Sequence, residues 1–200
     1  SYSVTGVQTC ALPIWRALRP RPVAGVSGVT DVAAAWHTLA LTADGRVWAW
    51  GRNTFGQLGN GRFGLDEISR VPVRVEGLEG VAAVAAGWDH SLALTRDGSV
   101  WAWGSRSHGQ LGDGVRETGR PAVAAQRVLG LEKVVAVAAG GQHSLALTAD
   151  GRVWAWGSNW NGQLGSGRRG AGTHSASPQP VAGAGGRSEE RRVGKECRSR

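Results

Sequence analysis

A histidine followed by a hydroxyl residue, with an aspartate seven positions after the histidine, occurs three times in this 200-residue sequence. These residues are His37, His90 and His143, with Asp44, Asp97 and Asp150. Such residue types could form a nucleophile, its base and an orienting acid. A catalytic triad, however, needs one convergent set, whereas these residues return once per repeat. We therefore predict no enzyme: the histidines would satisfy buried backbone groups between strands and the aspartates would shape turns.

Metal and cofactor sites are not predicted either. One histidine per repeat supplies neither the spacing nor the ligand cluster of a zinc site. The motif Gly-Gln-Leu-Gly-x-Gly (56–61, 109–114, 162–167) lacks the Lys-Ser/Thr that completes a phosphate-binding loop. We expect its glycines to allow tight turns where repeats meet. Each repeat also contains two tryptophans, and the second of each pair is Trp50, Trp103 or Trp156. These pairs could stack on a ligand, but their strict repetition favours packing between repeats.

The elements that position these residues are short strands repeated every 53 residues. Runs at 81–86, 91–95 and 100–104 read as strands, and a weaker fourth fits 72–75. An Asp-Gly hairpin turn joins the second and third strands, and its glycine is Gly45, Gly98 or Gly151. Helical periodicity is absent from these segments. The sequence thus predicts an all-β fold, a partial β-propeller of about three four-stranded blades.

The repeated pattern, His-Ser-Leu-Ala-Leu-Thr-x-Asp-Gly-x-Val-Trp-Ala-Trp-Gly followed by Gly-Gln-Leu-Gly, resembles the repeat of the RCC1 (regulator of chromosome condensation) family. The resemblance covers about 20–186 and implies a seven-bladed propeller, of which this chain would be a fragment. We place repeats at about 20–71, 72–124 and 125–177, with a further one starting at 178–186. Two departures from the repeat stand out. The first copy is one residue shorter and has alanine at the position of Gly87 and Gly140. The second copy has Arg106 at the position where the other copies have Asn53 and Asn159.

The two ends of the chain are interpreted separately from the repeats. Residues 4–14 and 187–200 back-translate to strings that resemble short-read sequencing adapters, so we expect 1–14 and 187–200 to be artefacts. Both cysteines and the single tyrosine lie there, and without these ends the net charge falls from +8 to +5. The chain contains no methionine, so its natural start is expected to be missing. Arginine, alanine, glycine and valine dominate the remainder, which predicts a GC-rich, bacterial source. No apolar stretch approaches the roughly 20 residues of a membrane span.

Function is expected in what differs between the repeats. Segments 62–71, 115–124 and 168–177 have equal length but unrelated content, as loops on a rigid scaffold do. Apolar, aromatic and arginine side chains in such loops are candidates for partner binding. They are Phe55, Phe63, Leu65, Arg116, Trp160 and Arg168. The alternative for Phe63 and Leu65 is that they tuck under their own loop.

Three functions remain open on the sequence. The first is a non-catalytic propeller that binds a protein partner of unknown identity through its loops. The second, implied by the resemblance, is guanine-nucleotide exchange on a small GTPase, although none of the loops it depends on can be matched here. The third and weakest is tethering to chromatin or DNA, since no basic stripe supports a nucleic-acid partner. Terminal blades are also expected to present uncovered apolar faces.

Overall fold

The computed structural model describes residues 21–115 and 120–183, which contain twelve β-strands and no helix. The strands are short, five to seven residues each. In chain order they are β1 (Val29–Ala34), β2 (His37–Thr42), β3 (Val47–Arg52), β4 (Ile68–Arg74), β5 (Val81–Ala86), β6 (His90–Thr95), β7 (Val100–Gly104), β8 (Ala122–Arg127), β9 (Val134–Ala139), β10 (His143–Thr148), β11 (Val153–Gly157) and β12 (Ser175–Pro180).

The strands form three four-stranded antiparallel sheets, each built from four consecutive strands. Blade 1 contains β1–β4, blade 2 contains β5–β8 and blade 3 contains β9–β12. The predicted all-β fold of three four-stranded blades is confirmed. The fourth strand begins earlier than predicted, at Ile68 rather than Pro72, and pairs with β3 of the repeat before it. Strand pairing therefore divides the chain into three blades at 29–74, 81–127 and 134–180. These blades begin and end at other positions than the sequence repeats, whose boundaries remain a prediction.

The predicted hairpin turns join the second and third strands of every blade. In blade 1, His37 pairs with Gly51 and Leu41 with Val47, so the turn falls at Asp44-Gly45. Gly45 has a φ of 79°, in the left-handed region that a side chain disfavours. Its counterparts in blades 2 and 3 have the same conformation, with a φ of 81° in both. The local sequence thus sets both the turn and the register of the strands on either side.

The hydrophobic core lies between blades rather than within one. Leu39, Leu41 and Val47 of blade 1 pack in one buried cluster with Val84 and Trp103 of blade 2. A second cluster repeats this arrangement, with Leu92, Leu94 and Val100 of blade 2 against Val134 and Trp156 of blade 3. Each sheet is too thin to exclude water alone, so neighbouring blades stabilise one another.

The antiparallel order gives the array two distinct faces. The strands β1, β5 and β9 lie side by side. The loops after the third strand of each blade (53–67, 105–121 and 158–174) leave from one end of the sheets, which we call the long-loop face. The Asp-Gly turns leave from the opposite end, the hairpin face. Within the described residues, no helix has the length and apolarity that crossing a membrane requires.

Candidate functional site

The repeated histidines join one blade to the next. His37 Nε2 lies 2.7 Å from the hydroxyl of Ser91 in blade 2, and His90 Nε2 lies 2.9 Å from the hydroxyl of Ser144 in blade 3. Ser91 in turn donates its hydroxyl hydrogen to the backbone carbonyl of Gln57, 2.8 Å away in blade 1. The histidine contacts are therefore with a side-chain hydroxyl of the next blade, not with the backbone groups expected from the sequence.

This arrangement fixes the tautomer of the histidines. The only hydrogen of the Ser91 hydroxyl is donated to Gln57, so His37 must donate from Nε2 and carry its proton there. Its Nδ1 is then a buried acceptor without a donor among the described residues, as is that of His90. Burial lowers the pKa of His37 from 6.5 to about 4. Burial, and then the charges of His37 and His143, lower the pKa of His90 to about 3. Both rings are neutral at pH 7.

The repeated tryptophans use the same carbonyl as the serines. The indole N–H of Trp103 donates to the Gln57 carbonyl at 2.8 Å, and Trp156 donates to the Gln110 carbonyl at 2.9 Å. Both rings are fully buried. One loop carbonyl of each preceding blade thus accepts both a serine hydroxyl and a tryptophan N–H from the following blade. Trp50, the equivalent residue in blade 1, is only partly buried.

The aspartates lie at the other end of the sheets from the histidines. Asp44 accepts hydrogen bonds from the Thr42 hydroxyl at 2.5 Å and from the Arg46 amide at 3.3 Å, and Asp97 and Asp150 repeat these contacts. The hydrogen bond from the threonine is the main cause of a lowered pKa for all three. Because β2 is six residues long, about 17 Å separate His37 from Asp44. The structure does not bring histidine and aspartate together as catalysis would require.

A groove on the long-loop face brings together three of the six candidate binding residues. Phe55, Phe63 and Leu65, from the long loop of blade 1, line it on one side, and its volume is about 270 Å³. Arg106, Arg120 and Pro121, from the loop of blade 2, line the other side. Leu65 is 86% exposed and Phe63 is 54% exposed, so neither is tucked under its own loop. We call this the blade 1–2 groove.

The other candidate residues are not part of this groove. Trp160 is exposed on the loop of blade 3, and Arg168 lies in the same loop, where its backbone carbonyl accepts a hydrogen bond from the Asn159 side chain at 2.9 Å. Arg116 lies outside the described residues. The structure therefore joins the candidates of blade 1 with arginines of blade 2 and leaves Trp160 and Arg168 apart.

Arg106 holds its loop by a contact that differs from that of the other blades. In blade 1 the Asn53 amide donates to Asn60 at 3.0 Å. In blade 2 the same two positions hold Arg106 and Asp113, whose nearest charged atoms lie 3.5 Å apart and are mostly buried. A salt bridge thus replaces an amide pair. Sequence reasoning noted Arg106 but missed Asp113, although comparing residues 53 positions apart reveals both changes.

Two exposed tryptophans next to the histidines were also missed. Trp36 and Trp88 lie at the turns that follow β1 and β5, on the long-loop face. The Arg52 guanidinium lies 5.3 Å from the centroid of the Trp36 ring, which fits a cation–π contact. Burial raises the pKa of Asp89, and the charge of Arg52, 4.0 Å away, opposes that shift. The sequence could have indicated the two tryptophans, because the residues just before the histidine differ from one repeat to the next.

The repeat geometry agrees with a comparison with known proteins. The profile of the RCC1-like domain matches residues 6–196. The chain belongs to the RCC1-like domain family. Prp20p from Saccharomyces cerevisiae, whose binding to Gsp1p and histones has been characterised, superposes on this RCC1-like chain with a TM-score of 0.74. The two are 27% identical, and the match covers 82% of this chain and 40% of Prp20p.

The curated relatives of this RCC1-like chain are longer proteins. The probable E3 ubiquitin-protein ligase HERC3 of Homo sapiens is 43% identical over 132 residues, which are 65% of this chain and 12% of HERC3. The ultraviolet-B receptor UVR8 of Arabidopsis thaliana is 35% identical over 155 residues, 75% of this chain and 34% of UVR8. The chain thus spans less than half the length of each. These relatives are eukaryotic, so a bacterial source remains a prediction.

Proposed function

We propose that this RCC1-like segment is a non-catalytic scaffold that binds a protein partner in the blade 1–2 groove. The observation that carries the proposal is the exposure of Phe55, Phe63 and Leu65 together, on a loop held by a rigid pair of blades. Isolated exposed apolar residues are ordinary, but several that converge on one groove mark an interaction site. Covering a fully exposed leucine or phenylalanine is favourable by about 1.5–3 kcal/mol.

The groove also suggests the chemistry of the partner. Arg120 and Arg106 line the wall opposite the aromatic residues, and arginine and aromatic side chains supply most binding energy at protein interfaces. Arg106 is already paired with Asp113, so Arg120 is the better candidate to meet a charge on the partner. We infer a segment with a bulky apolar anchor next to a carboxylate.

The absence of catalysis is part of the same proposal. His37 and His90 each donate to a serine whose hydrogen is already committed to a carbonyl, so neither serine is activated as a nucleophile. The residues described in 21–115 and 120–183 contain no group of three or more potential metal ligands. The committed hydrogens of the two serines support a scaffold.

Selection of peptides tests the groove directly. A random peptide library displayed on phage would be selected on the 200-residue chain, and bound peptides compared on two variants. F63S/L65S removes the apolar wall, while W160S removes an exposed aromatic residue of the same face outside the groove. We expect enriched peptides with an apolar anchor and an acidic neighbour, which bind W160S as they bind the unmodified chain and bind F63S/L65S at least tenfold more weakly. Equal binding to both variants, or no enrichment, contradicts the proposal.

Guanine-nucleotide exchange is the second candidate, supported by the likeness to Prp20p and its binding to Gsp1p. The match covers 40% of Prp20p, so exchange would require that the groups responsible lie within this part of the fold. Release of a fluorescent GDP analogue from Gsp1p is the test. Acceleration by this chain would establish exchange and refute the non-catalytic proposal.

Chromatin tethering is a third candidate, since the binding of Prp20p to histones has also been characterised. A net charge of +8 over the whole chain favours contact with nucleic acid or other acidic surfaces. A gel-shift titration with nucleosomes and with free DNA, repeated at increasing salt, tests it. Binding to DNA through phosphates weakens steeply with salt, and no binding at low salt would remove this candidate.

A further inference from the structure

The turn after the first strand differs from blade to blade, and the blade 1–2 groove does not use it. The second residue of this turn is Trp36 in blade 1, Trp88 in blade 2 and Gly141 in blade 3. The three turns together line a shallow pocket of about 510 Å³ on the long-loop face, which we call the turn pocket. Phe63 and Leu65 do not line it, so the turn pocket and the groove are separate surfaces.

Trp88 is held with one face of its indole ring outward. Its backbone N–H donates to the carbonyl of Gly141 at 3.0 Å, and a methyl group on Gly141 would lie only 2.8 Å from Cδ2 of the ring. The indole therefore rests on a glycine that leaves room for it, yet Trp88 is 55% exposed. Blade 2 packs against a blade on each side, so this exposure does not arise from an end of the chain.

Blade 1 shows which group such a tryptophan accepts. The guanidinium of Arg52 lies 5.3 Å from the centroid of the Trp36 ring, and its Nε donates to the hydroxyl of Thr54 at 2.9 Å, which holds it there. The negative face of an aromatic ring attracts a cation placed over it. Blade 2 has Ser105 at the position of Arg52, so it supplies no arginine of its own to Trp88.

Asp89, the residue after Trp88, places a negative charge beside the exposed ring. Its side chain is 19% exposed, and its Oδ1 is buried without a hydrogen-bond partner among the described residues. Arg52 approaches Oδ1 only to 4.0 Å. Burial raises the pKa of Asp89, as expected for a carboxylate that is incompletely paired. A cation on Trp88 would therefore lie near a negative charge that the chain compensates only in part.

We propose that the turn pocket binds an arginine side chain of a basic protein segment, stacked on the exposed face of Trp88 beside Asp89. The bound guanidinium repeats the contact that Arg52 makes with Trp36, and its planar shape suits the flat indole. Nucleobases also stack on exposed aromatic rings. Asp89 disfavours a nucleic acid here, because the phosphates would approach a carboxylate. The proposal does not depend on the blade 1–2 groove.

An NMR titration of the isotope-labelled 200-residue chain tests the site with three probes. They are an end-blocked Gly-Gly-Arg-Gly-Gly peptide, the same peptide with citrulline in place of arginine, and single-stranded oligothymidine. The indole N–H signal of Trp88, assigned by its loss in W88F, should shift saturably with the arginine peptide. Citrulline keeps the shape of arginine without its charge, so this peptide should bind about twofold to fivefold more weakly. A shift with oligothymidine but not with the arginine peptide overturns the proposal.

Variants identify the groups that act, with the Gly141 amide signal as the common measure of binding. W88A should lose binding, and D89N should weaken it by about twofold to fivefold. R52S should strengthen binding at least twofold, because it removes a like charge and leaves Asp89 to the peptide.

F63S/L65S should bind the arginine peptide as the unmodified chain does, which separates this site from the blade 1–2 groove. Urea unfolding checks that each variant is folded. D89N and R52S alter partly exposed side chains and so decide the question even if W88A does not fold. The proposal is overturned if the Trp88 signal does not shift or if the citrulline peptide binds equally well. Unchanged affinity of folded D89N and R52S overturns it too.

Discussion

Acidification tests the histidine contacts between blades, because the folded chain holds His37 and His90 neutral. Their pKa values are about 4 and about 3 in the folded chain, against 6.5 for an exposed histidine. Between about pH 7 and pH 5 the unfolded state takes up nearly one proton at each ring, and the folded state takes up almost none. The folded-state pKa is the lower one, so the free energy of unfolding falls as the pH falls through this window.

The expected loss is about 1.8 kcal/mol for each histidine, or about 3.5 kcal/mol for both. That is a large part of the 5–15 kcal/mol that stabilises a typical domain. Among the aspartates, only Asp89 would offset part of this loss. Asp44, Asp97 and Asp150 have a lowered pKa and titrate below the window, and Asp89, whose pKa is raised, would change stability in the opposite direction.

Urea unfolding followed by tryptophan fluorescence measures this loss, since Trp103 and Trp156 are fully buried next to the histidine contacts. The control is H108Q, which removes a half-buried histidine of the blade 2 loop and should keep nearly all of the pH dependence. A free energy of unfolding that is equal at both pH values refutes the reasoning. Titration of the His37 and His90 rings near pH 6.5 in NMR spectra of the folded chain would refute it too.

Three further substitutions probe individual packing contacts, each by urea unfolding. G87A should destabilise the chain by about 1–3 kcal/mol, because a methyl group at this position would overlap Cε1 and Nδ1 of the buried His90 ring; an unchanged midpoint would contradict it. Lys133 has a φ of 52°, in the left-handed region that a side chain disfavours and glycine tolerates. K133G should therefore be more stable than K133A by about 1 kcal/mol. Equal stability of the two variants would show that the backbone is unstrained there. R106N should destabilise by about 2–3 kcal/mol because it leaves the buried charge of Asp113 without a cation, and R106N/D113N should recover most of that loss. Additive effects would argue against the pair.

The parts of the fold that the sequence predicted are those encoded locally. The Asp97-Gly98 turn and the strands on either side follow from positive φ at the glycine and from residue alternation, both visible within one repeat. The fourth strand was placed too late because Ile68 and Ser69 read as loop. Their strand conformation depends on pairing with Arg52 and Gly51, which are distant in the sequence.

Contacts across repeats were the least predictable. The partner of His37 is 54 residues away, and nothing in one repeat distinguishes a hydroxyl of the next blade from a backbone group. Whether Phe63 and Leu65 lie exposed or beneath their loop was likewise undetermined, since it depends on where the loop of blade 2 stands. The Arg106–Asp113 pair was within reach, because an arginine and an aspartate occur together, in blade 2, at two positions that hold uncharged residues in the other repeats.

The serine that completes each histidine belongs to the following blade, which has a consequence for how such arrays change in evolution. A duplication or deletion of one whole repeat leaves every histidine beside a hydroxyl and every glutamine carbonyl beside an indole, so blade number can change without new side chains. A deletion of part of a repeat breaks both contacts at once. Unequal recombination between repeats would thus be tolerated only in steps of a full period. The variable segments that follow the Gly-Gln-Leu-Gly-x-Gly motif take no part in these contacts and are free to diverge.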